Sequence, residues 1–163
     1  MNLNDVAKFM SSNGWHVKFE QSPEHFDFLE DFPHLVAFVE NVRSCISPDE
    51  QVWLFGWEDF SDNSNEGWRF LELSISLPSA EGDHEWSSQI REFWAAHVPF
   101  AMSVRSGYSA LLTDRSGRIY LSVEPEFEEP IVVAENFGSF LVAFRKQIGS
   151  GKGRLAEFFR VVV

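Results

Sequence analysis

Apolar positions along the chain recur at two different periods, and the switches between them divide it into elements. Leu3, Val6, Ala7 and Met10 fall at steps of three and four, which predicts a short helix over 3–12 with Gly14 as its stop. Trp15, Val17 and Phe19 then alternate with His16, Lys18 and Glu20, the period of a strand. Ser22-Pro23 reads as a helix start with a serine cap and proline in the first turn, and Phe26 and Leu29 give that short helix its apolar side. Pro33 opens another helix, in which Leu35, Val36, Val39 and Val42 share a face before Ser47-Pro48 breaks it. Residues 51–57 and 68–76 are rich in aromatic and β-branched side chains and read as strands, separated by the polar run 59–67. Trp86, Ile90, Phe93 and Trp94 return to helical spacing over 83–97.

The second half is patterned more sharply. Residues 100–104, 108–113 and 118–123 are three β-type runs, and Asp114-Arg115-Ser116-Gly117 is a tight-turn sequence that makes a hairpin of the last two. A charged turn leads to a fourth short strand, Ile131-Val132-Val133-Ala134. Asn136 caps a closing helix in which Phe137, Phe140, Leu141, Phe144 and Ile148 recur at steps of three and four. Late strands joined by turns rather than crossover helices argue against a parallel sheet. The expected class is α+β: a mostly antiparallel sheet of five to six strands covered by helices, with a closing C-terminal helix. Residues 1–148 form one domain in this reading. The glycine-rich stretch Gly149-Ser150-Gly151-Lys152-Gly153 is a flexible joint before a short basic tail, 149–163 in all.

Composition narrows the function classes. The 163 residues carry a formal charge of −12 with His neutral, and 44% of them are hydrophobic, which is too apolar for a disordered chain. A single cysteine, Cys45, excludes an intramolecular disulfide framework and fits a reducing, cytoplasmic setting. No apolar stretch approaches the roughly 20 residues of a membrane span, and the opening MNLNDVAKFM lacks a signal-peptide core. Direct nucleic-acid binding needs clustered cations, so this balance argues against it and favours a basic protein partner or simple solubility. The charge is also segregated. Arg145, Lys146, Lys152, Arg154 and Arg160 face only Glu157 in residues 141–163, a net of +4, against −16 for the rest. Those cations either pair with the acidic body and the dipole of their own helix, or form a separate docking patch.

Searches for chemistry mostly fail. Gly151-Lys152-Gly153 lacks the Ser or Thr and the preceding strand of a phosphate loop. Asp62-Asn63-Ser64-Asn65-Glu66-Gly67 imitates half a calcium loop, but the position that needs a bidentate Glu is Leu73. His16, His25, His34, His84 and His97 show no paired ligand spacing, and Cys45 has no cationic neighbour to activate it. No metal site, cofactor site or catalytic residue is expected. Two acidic segments remain as candidate partner-binding surfaces. One comprises Trp57, Glu58, Asp59, Asp62, Glu66 and Trp68; the other is the turn carrying Glu124, Glu126, Glu128 and Glu129. Aromatic anchors inside an acidic rim suit protein binding, although the same tryptophans can fill the core while the acids only solubilise the chain.

The run Pro99-Phe100-Ala101-Met102, then Gly107-Tyr108-Ser109-Ala110-Leu111-Leu112-Thr113-Asp114 and Gly117-Arg118-Ile119-Tyr120, resembles a signature of the SUKH superfamily, which is named partly for yeast regulators of cell-wall synthesis. The helix Ala134-Glu135-Asn136-Phe137-Gly138-Ser139-Phe140-Leu141 continues the likeness. Phe32-Pro33 and Trp53-Leu54-Phe55 extend it loosely upstream. Val104-Arg105-Ser106-Gly107 and Val42-Arg43-Ser44-Cys45 depart from the family pattern. The resemblance implies a non-enzymatic bacterial immunity protein that binds and neutralises a co-encoded protein toxin, such as a nuclease or deaminase. A regulatory or scaffold module without a toxin, and a small hydrolase or metal-dependent enzyme, are the alternatives.

Overall fold

A computed structural model describes residues 1–61 and 67–161. Its centre is a seven-stranded antiparallel sheet whose strands are paired in sequence order. The chain opens with α1 (Leu3–Ser12), started by a reciprocal cap: the Asn2 side chain accepts from the Asp5 amide at 3.0 Å, and the Asp5 carboxylate accepts from the Asn2 amide at 2.8 Å. Strand β1 (His16–Phe19), a 3₁₀ turn (Asp27–Asp31), α2 (Pro33–Asn41), β2 (Val42–Ile46) and β3 (Val52–Leu54) follow. A helical excursion then leaves the sheet, comprising α3 (Trp57–Ser61), a π-helical turn (Leu71–Ser76), α4 (Leu77–Ser79) and α5 (His84–Ala96). The chain returns through β4 (Val98–Ser103), β5 (Ser109–Thr113), β6 (Ile119–Val123) and β7 (Ile131–Ala134), and closes with α6 (Phe137–Ser150) and α7 (Arg154–Phe159).

The architecture is α+β, with the sheet packed against helices. Strand β5 shows how both faces are filled. Leu111 points into the main core with Phe38, Phe100, Phe140 and Phe144, while its neighbours Ala110 and Leu112 point the other way, to Leu71, Ile90, Phe93 and Phe127. A strand buried on both faces loses the polar alternation of a half-exposed one.

Besides the helix expected from Ser22-Pro23, which is only the 3₁₀ turn Asp27–Asp31 with no side-chain cap, three expectations are corrected. The sheet has seven strands where about five to six were expected, and one of them was not foreseen: the helix expected to reach Val42 ends at Asn41 and the chain passes straight into β2 with no Gly or Pro between. Val42 is buried as the first residue of a strand, not as the last of a helical stripe. Gly56 fits against this junction: a Cβ there would lie 2.4 Å from the carbonyls of Val42 and Arg43. Residues 68–76 are not a strand either. Leu71 and Ile75, four apart, both face the second core, so helical spacing prevails over the β preference of Trp, Phe and Ile.

The third concerns the C-terminal residues. Gly151 ends α6 with φ +65°, and the amide of Leu155 donates to Gln147 Oε1 at 2.9 Å across the corner. The residues beyond form α7, whose Leu155, Ala156, Phe158 and Phe159 are buried. The Phe159 ring lies 5.3 Å from that of Phe144 and 6.1 Å from Trp15. This segment is a wall of the main core.

Candidate functional site

The two acidic segments are built differently. In the first, α3 leaves the end of β3 and carries Trp57, Glu58 and Asp59. The Trp57 indole donates to the Glu20 carbonyl at 2.9 Å, and the Arg43 guanidinium stands 5.4 Å from its ring centroid. Arg43 also grips Glu58 at 2.8 Å and reaches Glu20 at 3.4 Å, and these bonds raise its already high pKa. Asp59 accepts from the Gly56 amide at 2.9 Å. Trp68 stacks on Phe28 at 4.9 Å and 5°, with Phe60 beside both. Trp57 and Trp68 are therefore half-buried members of the fold with one face outward. Asp62 and Glu66 lie outside the described residues.

The structure adds residues that the sequence reading did not single out. The segment leading into the 3₁₀ turn brings Glu24, Asp27 and Asp31 beside the same rings, with Glu30 exposed on the turn itself. Ser61 on α3 donates to the Glu24 carboxylate, tying the two stretches together. Asp27 is 96% and Glu30 71% exposed. A shallow hollow of about 330 Å³ lies between the stretches, lined by Glu24, Phe26, Asp27, Phe28, Phe60 and Trp68 among others. The signal was available as acids interleaved with phenylalanines over 24–31. The same turn holds His25 Nε2 at 3.6 Å from Asp27 and 3.2 Å from Glu30, all three in solvent. Among the described residues this is the one His-containing set close enough to share an ion, a grouping missed by a search for paired histidines.

The second segment closes on itself. Phe127 is fully buried in the second core, and its carbonyl accepts from Ser122 Oγ at 2.7 Å. Glu124 accepts from the Tyr108 amide at 3.0 Å. It also packs over Gly107 (φ +90°), where a Cβ would lie 2.6 Å from Glu124 Oε1. Glu128 accepts from the Trp86 indole of α5 through Oε1, and its Oε2 is buried without a partner among the described residues. Glu126 and Glu129 alone of the four are exposed. No hydrogen bond or ion pair joins the two segments among the described residues. One is fastened to the strand β1–β2 side, the other to α5 and the β5–β6 strands.

Other titratable groups serve the fold. Burial pushes the Cys45 thiol up to about 12, with Asp59 adding to the effect, so no thiolate forms near neutrality. Asp114 closes the β5–β6 hairpin by accepting from the amides of Ser116 and Arg118 and from the Tyr120 hydroxyl at 2.8 Å. Burial works against its ionised form, but these bonds outweigh it and hold its pKa below the usual carboxylate value. His34 bonds Thr113 Oγ1 at 2.7 Å; burial lowers its pKa, partly offset by Asp114. No helix among the described residues is long and apolar enough to cross a membrane. Compared with protein-family models, with curated proteins and with solved structures, the chain matches none.

Proposed function

We propose that this chain is a non-enzymatic immunity protein that binds and neutralises a co-encoded basic bacterial toxin through the acidic, aromatic surface formed by residues 20–31 and 57–61 with Trp68. The observation that carries the reading is the hollow beside the 3₁₀ turn, where half-buried Phe26, Phe28 and Trp68 are rimmed by Glu24 and Asp27, with His25 and Arg69 also on the lining and exposed Glu30 nearby on the same turn. A toxin that acts on nucleic acid needs a cationic groove, and a protein of charge −12 competes for that groove. The charged rim speeds encounter, and the rings supply the desolvated contacts that slow release. The resemblance to the SUKH superfamily favours the same reading. Glu124 and Glu128, engaged inside their own turn, are left out of the proposed surface.

The test is co-expression with the toxin encoded beside the gene. The parent chain restores growth and co-purifies with the toxin in a defined ratio. A folded parent chain that neither protects nor co-purifies would overturn the reading.

A further inference from the structure

On the far side of the sheet from the second core, α7 and the strands β4–β6 border an open cavity of about 340 Å³ that the acidic surface does not touch. Its base follows from register. Ser103 pairs with Ser109, and Ser109 with Val123, so the three form one row across three strands, with Leu121 two positions along. Phe158 of α7 closes the apolar side. Around this base stand three of the 13 cations of an otherwise acidic chain: Arg105, Arg154 and Arg160.

Their states differ. Arg105 is largely buried and its terminal nitrogens hold Asp49, one of them at 2.9 Å, while its Nε is buried with no partner among the described residues. Arg154 and Arg160 are exposed, and neither makes an ion pair among the described residues. The acids that balance the group are Asp49, already taken by Arg105, and Glu157 on the rim. That leaves a net positive pocket with hydroxyls and an apolar base. Two of the five cations segregated into residues 141–163, Arg154 and Arg160, thereby acquire a place in the fold.

We propose that this cavity binds a small organic anion, a carboxylate or phosphate borne on an apolar group. Arg154 and Arg160 take the oxyanion, Ser103 and Ser109 supply hydroxyl hydrogen bonds, and Leu121 and Phe158 cover the hydrocarbon. A cavity of this volume suits a single-ring ligand rather than a polymer.

Titration calorimetry of the whole chain with phenyl phosphate, benzoate and inorganic phosphate tests this. Phenyl phosphate or benzoate is expected to bind at least about tenfold more tightly than inorganic phosphate, and the preferred of the two names the oxyanion. The double variant Arg154→Gln/Arg160→Gln, both positions exposed, is expected to keep the parent circular dichroism and lose about tenfold or more in affinity. Arg145→Gln/Lys146→Gln, which removes two exposed cations of α6 that do not line the cavity, is expected to bind as the parent does. Failure of both organic anions to bind, equal affinity for inorganic phosphate, or equal loss in the two double variants would each overturn the proposal.

Discussion

Residues 24–31 and 124–130 look alike as strings: each sets acids around phenylalanine. Folded, they are opposites. In the 124–130 turn Phe127 is fully buried, and two of the four glutamates accept bonds from Tyr108 and Trp86. In 24–31 the phenylalanines are only half-buried, and Asp27 and Glu30 project into water. The side chain between the acids decides which way they face. A ring that reaches a core draws its neighbouring carboxylates inward, while around the surface rings Glu24, Glu30 and Asp31 hold Ser61, His25 and Arg115 yet stay exposed to a partner.

A graded series in one denaturation assay would break or sharpen that contrast. Phe127→Ala is expected to cost about 3–5 kcal/mol, as for a fully buried phenylalanine. Glu128→Ala, which leaves the Trp86 indole without its acceptor, is expected to cost about 1–3 kcal/mol. Exposed changes, Glu126→Lys/Glu129→Lys in the closed turn and Asp27→Lys/Glu30→Lys in the open segment, should each stay within about 0.5 kcal/mol. If the Asp27/Glu30 pair proved as costly as Glu128→Ala, the open segment would be structural after all.

A smaller effect comes from His34, which belongs to neither segment and checks that pH does not blur the comparison. Burial lowers its pKa in the folded chain, so the unfolded chain takes up the proton first, near the ordinary value of about 6.5. Its contribution to stability is complete above that value and fades as pH falls through the lower folded pKa. Between pH 7 and pH 5 the parent should therefore lose more stability than His34→Gln does, measured by urea unfolding. Equal losses would mean that His34 is not desolvated as described.

Much of the fold was legible because one residue set the element's limits. Asn136 caps α6, Gly14 follows the end of α1, and Asp114 with Gly117 turns the β5–β6 hairpin. What was not legible lacked such a marker. The passage from α2 to β2 at Val42 has none, and Leu71 with Ile75 sits in a composition that favours strands. The site was half legible for a similar reason. Acid counts located both segments, but whether Phe127 or Phe28 reaches a core depends on contacts with α5 and Trp68 that are distant in sequence. The cavity under α7 needed the strand register to bring Ser103, Ser109 and Val123 into one row.

The central claim is that the open segment, and not the closed turn, meets a cationic partner. Stopped-flow binding to the co-purified toxin at low and moderate salt, comparing Asp27→Lys/Glu30→Lys with Glu126→Lys/Glu129→Lys, tests it most directly. The first pair is expected to slow association by about tenfold or more and to flatten its salt dependence, while the second changes it by no more than about twofold. Equal slowing by the two pairs, or slowing by the second alone, would contradict it.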